Sequence, residues 1–328
     1  MEEPKTEKIT IVTHTGIFHA DEVFACATLQ LLYSEEIPVT VIRSRDPVDW
    51  IGADYLVDVG GEYDALNGKF DHHQPGFNSC REDGTLYSSF GLVWLAHGWQ
   101  VVSYLLYDCM QKLKIYDSNL EFDVVDKVDN FVKSIDWQDQ GQLNIVARNS
   151  SHSELICEVA TIQSIISSFN PIPLVGYDLD DDAFKLAVGT AGIVLTRLIL
   201  KKASEILAKP YIEARISKHS PFLYLEEFCT WYDVVKDHPH ITHVIFPNQE
   251  KTAHVVTAVR MDGNQSNGPE NLRIPFPKEW AGLTDQKLQA ISGVEEAIFC
   301  HSAQFLATAK TIEGATKLAI AATKQNEL

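Results

Sequence analysis

The sequence has no Cys-x-x-Cys pair, no unbroken run of eighteen apolar residues and no excess of positive charge. Each absence removes a class of protein. Its six cysteines, Cys26, Cys80, Cys109, Cys157, Cys229 and Cys300, are scattered, which excludes a zinc ribbon and a disulfide framework and leaves reduced core thiols. The missing apolar run argues against a membrane span, and 45% hydrophobic with 22% charged residues is the composition of an ordinary soluble globular chain. A formal charge of −18 argues against binding long nucleic-acid tracks, which need basic grooves to neutralise phosphates. Residues 1–209 carry 16 Lys+Arg against 31 Asp+Glu, whereas residues 210–328 carry 11 against 14, so the acidity belongs to the first part. MEEPKTEK lacks an apolar or an Arg/Ser-rich leader, so the expected address is cytosol or nucleus.

A length of 328 residues suits two domains. In the first part, strand patterns at 8–14, 38–44 and 54–61 alternate with a helical pattern at 21–33, the grammar of a mainly parallel α/β sheet. Further helices are expected at 124–135, 154–169 and 180–207, together with a long one after Ser88-Ser89. A loop is expected at 140–152. From Lys209 onward THVIFPN, TAHVVTAV and EAIFCHS read as strands and LTDQKLQAISG and GATKLAIAATK as helices, with a surface excursion at MDGNQSNGPENL. The expected division is 1–208, a first α/β domain, and 209–328, a smaller second one.

Ligand sites of parallel sheets lie beyond the carboxyl ends of the strands. Four polar groups fall at such ends or close by. His14, His19 and Asp21 come from HTGIFHADE, Asp58 from VDVGG, Asp71, His72 and His73 from FDHHQ, and Asp136 and Asp139 from SIDWQDQG. Taken singly, Asp58 is a turn former, His14 a core histidine and Asp21 a helix cap. Asp-His-His in consecutive positions has no such simple structural reason. If the strand ends are neighbours, the set can hold two divalent ions roughly 3.5–4 Å apart, bridged by an Asp. Imidazole and carboxylate without thiolate favour Mn²⁺, with Mg²⁺ or Co²⁺ as alternatives.

HTGIFHADEVFACATL, YLVDVGGEYD, KFDHHQ, YSSFGLVW and AIFCHSAQF resemble, in order and spacing, the MYG1 family (uncharacterised protein family 0160), a branch of the DHH phosphoesterases. The resemblance spans about residues 9 to 322. It implies a DHH-type metal-binding catalytic domain over 1–208 followed by a smaller substrate-binding domain over 209–328, and a Mn²⁺-dependent 3′–5′ exonuclease acting on single-stranded RNA ends, with mitochondria as a further address. Carried over, the metal set is His14 or His19 with Asp21, then Asp58, His72, and Asp136 or Asp139. The catalytic group is Asp71, His72, His73 and Asp139, with Asp71 and His73 supporting the ligand or touching phosphate. Substrate contacts fall to Arg273, Lys278 and His301, with Lys310 a weaker candidate, and to Ser88 and Ser89 unless these only cap their helix.

Two positions depart from the family pattern. Gln140 stands where the fourth motif has Asn, and Leu306-Ala307-Thr308 stands where a Gly pair follows the aromatic residue of the late motif. Two alternative readings follow: a hydrolase of small phosphates such as a dinucleotide, nanoRNA or pyrophosphate, and a non-catalytic metal-binding interaction protein.

Overall fold

A computed structural model describes residues 8–33, 37–113, 119–141, 147–148, 155–157, 160–172, 174, 180–261 and 268–326. The chain divides into two compact units, Met1–Ala203 and Ser204–Leu328. The first begins with β1 (Ile9–Thr13), α1 (Ala20–Gln30), β2 (Val39–Arg43), α2 (Pro47–Trp50), β3 (Tyr55–Val57), β4 (Tyr63–Asp64) and β5 (Lys69–Phe70). There follow α3 (Ser89–Leu113), α4 (Leu120–Asp139), β6 (Ala147–Arg148), β7 (Leu155–Cys157), α5 (Ile162–Ser167) and α6 (Asp180–Glu213), the last crossing the boundary between the units.

The first sheet has the order β2-β1-β3-β5-β4. β1 pairs in parallel with β2 and β3, and β3 with β5; only the short edge strand β4 runs antiparallel. The register places Val12 opposite Leu56 and Val57 opposite Phe70, so β1, β3 and β5 end side by side. Their carboxyl ends form one edge, and the residues just past them converge by topology alone.

α1 is buried from Ala20 to Leu29, because Ala20, Ala25, Cys26 and Ala27 are small enough to let neighbours approach from every side. Its Phe24 meets Phe90 of α3 and Phe131 of α4, with ring centroids 5.4 and 5.3 Å apart. Burying a side chain of that size contributes about 1.5–3 kcal/mol, so α1 is firmly seated where it carries polar residues into the interior. In α6, Phe184, Ala187, Val188, Ala191, Leu195 and Ile199 face inward at helical spacing. This helix also contains an 18-residue window long and apolar enough to cross a membrane, of which 33% is buried; core helices of soluble proteins share that property.

One expected element changes character. The helix expected over 154–169 is a strand at Leu155–Cys157 and a short helix at Ile162–Ser167. Thr161 begins that helix with a reciprocal cap, its side chain accepting from Ser164 N at 3.1 Å while Ser164 Oγ accepts from Thr161 N at 2.9 Å. The apolar period misled because it ran through a cap. The loop expected at 140–152 and the excursion MDGNQSNGPENL fall in large part outside the described residues.

The second unit contains β8 (Phe222–Tyr224), α7 (Tyr232–Val235), β9 (His243–Pro247), β10 (His254–Ala258), α8 (Asp285–Ser292), β11 (Ala297–Cys300), β12 (Leu306–Ala309) and α9 (Ile312–Asn326). Its sheet has the order β11-β12-β10-β9-β8, antiparallel except where β8 pairs in parallel with β9. Val256, Phe276, Trp280, Leu288, Ala307 and Leu318 belong to its core. The strands THVIFPN, TAHVVTAV and EAIFCHS and the last two helices lie where their patterns place them.

Candidate metal centre

The loop between β1 and α1 is braced from several sides before it presents any ligand. Arg43 donates from Nε to His14 O at 3.3 Å and from Nη2 to Gly16 O, with its guanidinium 4.8 Å from the Phe184 ring centroid. Phe18 N donates to Asn170 Oδ1 at 2.9 Å, and Ala20 N to Gln163 Oε1 at 2.8 Å. His19 N donates to both Glu22 carboxylate oxygens, at 2.9 and 3.0 Å. The backbone amides of Phe18, His19 and Ala20 are thereby satisfied by Asn170, Glu22 and Gln163, with no part taken by the Asp21 side chain.

His14 is buried, donating from Nδ1 to Thr15 O at 3.0 Å while Nε2 lies 3.1 Å from Glu22 and 3.3 Å from Asp58. A backbone carbonyl on Nδ1 orients the ring with Nε2 toward the carboxylates, the usual support of a metal-binding histidine. Asp58 follows β3 with φ 55, a left-handed backbone that Asp tolerates better than most residues and that costs local strain. Its Oδ1 accepts from Ser89 at 2.9 Å and lies 3.3 Å from both His72 Nε2 and His73 Nδ1. Asp71 turns away from this centre: Oδ2 accepts from Gly61 N at 2.6 Å, and Oδ1 lies 2.9 Å from His73 Nδ1. Asp71 therefore orients His73 and ties FDHHQ to the glycine turn after β3.

His72 Nε2 lies 3.3 Å from Asp58, 3.5 Å from Asp139 and 4.0 Å from Asp21. None of the three is a hydrogen bond in geometry, and His72 Nε2 and both carboxylate oxygens of Asp21 are buried without a hydrogen-bond partner. Leaving such groups unmatched costs several kcal/mol, roughly 1–3 for each neutral group and more for a charged one. A divalent cation is the partner they fit.

Ligand atoms within 4.8 Å of one another occur in four overlapping trios: His14, His19 and Glu22; Asp21, Glu22 and Asp58; Asp58, His72 and His73; and Asp21, His72 and Asp139. Among the described residues Asp21, Glu22, Asp58 and His72 each appear in two, so they stand where adjoining positions would share a ligand.

The electrostatics follow from this crowding. Burial lowers the proton affinity of His14, but Asp58 and Glu22 outweigh it and carry the ring up to about 10. Asp58 and Asp71 raise His73 to about 10 as well. Burial works to raise Asp58, yet its histidine partners hold it far below the usual carboxylate range. Burial, then the charges of Asp58 and Asp139, push Asp21 well above that range. Asp139 is raised mainly by burial, with His72 working against it.

The remaining expected site residues are placed differently. Asp136 is fully buried: Oδ1 accepts from Ser88 N at 3.0 Å and Ser88 Oγ at 2.7 Å, while Oδ2 accepts from Arg81 Nε at 3.1 Å and Nη2 at 2.8 Å. Its carboxylate sits at the N-terminus of α3, where an anion is favoured, and four donors occupy it. Ser88 is taken up by Asp136 and Ser89 by Asp58, both fully buried.

In the second unit, Arg273 donates to the carbonyls of His238, Ile241, Val235 and Lys236, at 2.6, 2.8, 3.3 and 3.0 Å, around the end of α7. His301 Nδ1 accepts from Ala303 N at 3.0 Å within the turn between β11 and β12, and its ring centroid lies 4.4 Å from that of Phe305. Lys278 and Lys310 are exposed.

Glu22 and Arg81 are structural partners the sequence reading passed over. Glu22 had a signal, its position three residues after the helix-opening His19. Arg81 had none, since its partner lies 55 residues away. Gln140, noted as a departure, brings its Nε2 within 3.2 Å of His72 Nδ1.

These groups open on a cavity of about 860 Å³ lined by His14, His19, Asp58, His72, His73 and Asp139 among others. Fold and centre together define an α/β protein that presents histidines and carboxylates, in a set suited to divalent cations, at the carboxyl edge of a parallel sheet. The chain belongs to the Uncharacterised protein family (UPF0160), whose model matches residues 10–323. It is 32% identical over 339 residues to a MYG1 protein of Dictyostelium discoideum, covering 97% of each chain. It is 28% identical over 348 residues to the MYG1 exonuclease of Homo sapiens, covering 96% of this chain and 86% of that one, and 28% identical over 303 residues to a MYG1 protein of Chlamydia trachomatis, covering 90% of each.

Solved structures align far more weakly. RecJ in complex with Mn²⁺ from Thermus thermophilus matches with a TM-score of 0.26 at 13% identity, over 96% of this chain and 52% of that one. A pGpG-specific phosphodiesterase, PggH from Vibrio, matches with 0.26 at 13%, over 98% and 99%. Superpositions this poor do not establish a shared fold.

Proposed function

We propose that this protein is a divalent-metal-dependent phosphodiesterase and, more specifically, a Mn²⁺-dependent 3′–5′ exonuclease acting on single-stranded RNA ends. The observation that carries the proposal is the Asp21 carboxylate, buried and unpartnered beside His72, Asp58 and Asp139. The exonuclease name of mammalian relatives supports the same reading.

Asp21, Asp58, His72 and Asp139, with His14 or His19, would hold the ions. When bound, divalent ions lower the pKa of water toward neutrality and polarise a phosphoryl oxygen. Around them the side chains have separate tasks. Asp71 holds His73 through Nδ1, and the His73 ring, 63% exposed, faces the cavity where it can donate to a phosphate oxygen. The Gln140 side-chain amide touches His72 Nδ1 at 3.2 Å, the ring atom opposite the carboxylates. Asp136 and Arg81 join α4 to the N-terminus of α3, which fixes the helix end that carries Asp139. An acidic protein suits a short single-stranded end better than a duplex, because few phosphates need neutralising at once.

In the test of this reading, a 5′-labelled oligoribonucleotide incubated with Mn²⁺ should shorten stepwise from its 3′ end, and a chelator should stop it. A second reading, hydrolysis of small phosphates such as dinucleotides, draws support from the cavity volume, which lies in the range of small-molecule pockets. Turnover of dinucleotides without shortening of longer chains would select that reading. Turnover of neither would overturn both.

A further inference from the structure

The cavity faces a charge problem. Its wall carries Asp58, Asp71 and Asp139, and the proposed substrate is an anion. Ions held by the carboxylates and histidines would offset that repulsion at the scissile phosphate, and the next phosphate along the chain would need its own cation. Arg273 is engaged by four carbonyls. Among the described residues lining the cavity there is one Lys or Arg, and it is Arg45.

Arg45 follows β2 on the same edge as the metal centre. Its Nε donates to Thr15 O at 3.4 Å, so the side chain leans against the loop that carries His14. Its two terminal nitrogens make no hydrogen bond among the described residues. The acids beside it are occupied elsewhere: Asp46 Oδ1 accepts from Val48 N at 3.0 Å and Asp49 Oδ2 from Ser44 Oγ at 2.5 Å. Trp50, which lines the same cavity, is held by a hydrogen bond from Nε1 to Ser44 O at 3.3 Å. The segment from Ser44 to Trp50 thus brings a guanidinium with no ion pair among the described residues and an anchored indole to one cavity, the pair of groups that grips a nucleotide by phosphate and base.

We propose that Arg45 binds the phosphate next to the scissile linkage and that Trp50 stacks on a base of the same short oligonucleotide, making this segment the substrate-recognition element of the first unit. The proposal rests on the phosphodiesterase reading and adds to it the residues that choose the substrate.

The test uses the full chain with Mn²⁺ and a fluorescent trinucleotide whose linkages are phosphorothioates that resist cleavage. Its affinity is measured over a salt series for wild type, Arg45→Ala, Arg45→Lys and Trp50→Ala, and Mn²⁺ affinity is measured separately by calorimetry. Arg45→Ala should weaken trinucleotide binding about tenfold and reduce the salt slope by about 0.7, the value of one single-strand phosphate contact. Arg45→Lys should recover part of the affinity, and Trp50→Ala should weaken binding about tenfold with the slope unchanged. Mn²⁺ affinity should stay within about twofold of wild type in all three, since none is placed as a ligand. In cleavage of the ordinary trinucleotide, Arg45→Ala should raise KM more than it lowers kcat. Wild-type affinity and slope in Arg45→Ala would overturn the proposal and leave the phosphodiesterase reading standing. A wild-type protein that neither binds nor cleaves any oligonucleotide would end both.

Discussion

The two units use the same side chains for opposite ends. In the first, His14 and His73 face carboxylates and are carried up to about 10. In the second, His243 is buried beside Phe222 and Phe276, at centroid distances of 6.0 and 5.2 Å, and burial pushes it down to about 3. Arginine follows the same contrast. Among the described residues Arg273 gives four hydrogen bonds to backbone carbonyls, whereas Arg45 gives one and lines the cavity. Residue type therefore says little about role in this chain. Position relative to the carboxyl ends of β1, β3 and β5 says much more.

Breaking the contrast at the metal centre should have the largest effect. His72→Ala is expected to lower Mn²⁺-dependent hydrolysis about a thousandfold, or about 4 kcal/mol of barrier, in single-turnover assays. Arg273→Ala is next: stranding four carbonyls should lower unfolding free energy by about 3 kcal/mol in urea titration, while hydrolysis per folded molecule stays within about twofold of wild type. A large loss of activity without loss of stability would mean that Arg273 touches substrate after all.

Mn²⁺ at a hundred times its dissociation constant should add about 2.7 kcal/mol of stability. Hydrogen exchange should show the protection in α1 and the loops after β1, β3 and β5, and little change in β9 and β10. Gly91→Ala should destabilise by about 1–3 kcal/mol, because overpacking at a fixed partner is not relieved by rotation. A Cβ there would lie 2.5 and 2.7 Å from the Asp136 carboxylate oxygens, which four donors hold in place.

The smallest effect is a pH dependence confined to the second unit. With His243 lowered from 6.5 to about 3, the unfolded chain binds the extra proton between those values. Stability present above the unfolded pKa is lost as pH falls, by about 1.4 kcal/mol at pH 5.5. His243→Phe should remove that component from the slope of stability against pH, and an unchanged slope would contradict the assignment.

Much of the candidate centre was legible because parallel topology does the placing. Once KITIVTH and DYLVDVGG read as parallel strands, His14 and Asp58 had to emerge at one edge, and FDHHQ joined them through β5. Asp139 was harder to separate from Asp136, since both lie near the end of one helix. The choice depends on Ser88 and Arg81, which are 48 and 55 residues away and leave no local pattern. Ser88 and Ser89 carried a phosphate-contact signal that their burial against Asp136 and Asp58 uses up. Arg273, expected at the substrate, gives its donors to carbonyls of a helix end some 35 residues earlier, a pairing that leaves no local pattern. The error over 154–169 arose because an apolar period does not register the cap at Thr161 that begins a new element.

If the buried Asp21 carboxylate belongs to a divalent-cation site, its replacement by an amide should cost an ion. Calorimetric titration of the full chain with Mn²⁺, wild type against Asp21→Asn, tests it most directly. The account predicts saturable binding of two ions to the wild type, and loss of at least one of them in Asp21→Asn in a protein that remains folded and melts no lower without metal. Wild-type Mn²⁺ binding in Asp21→Asn, or none in the wild type, would contradict it.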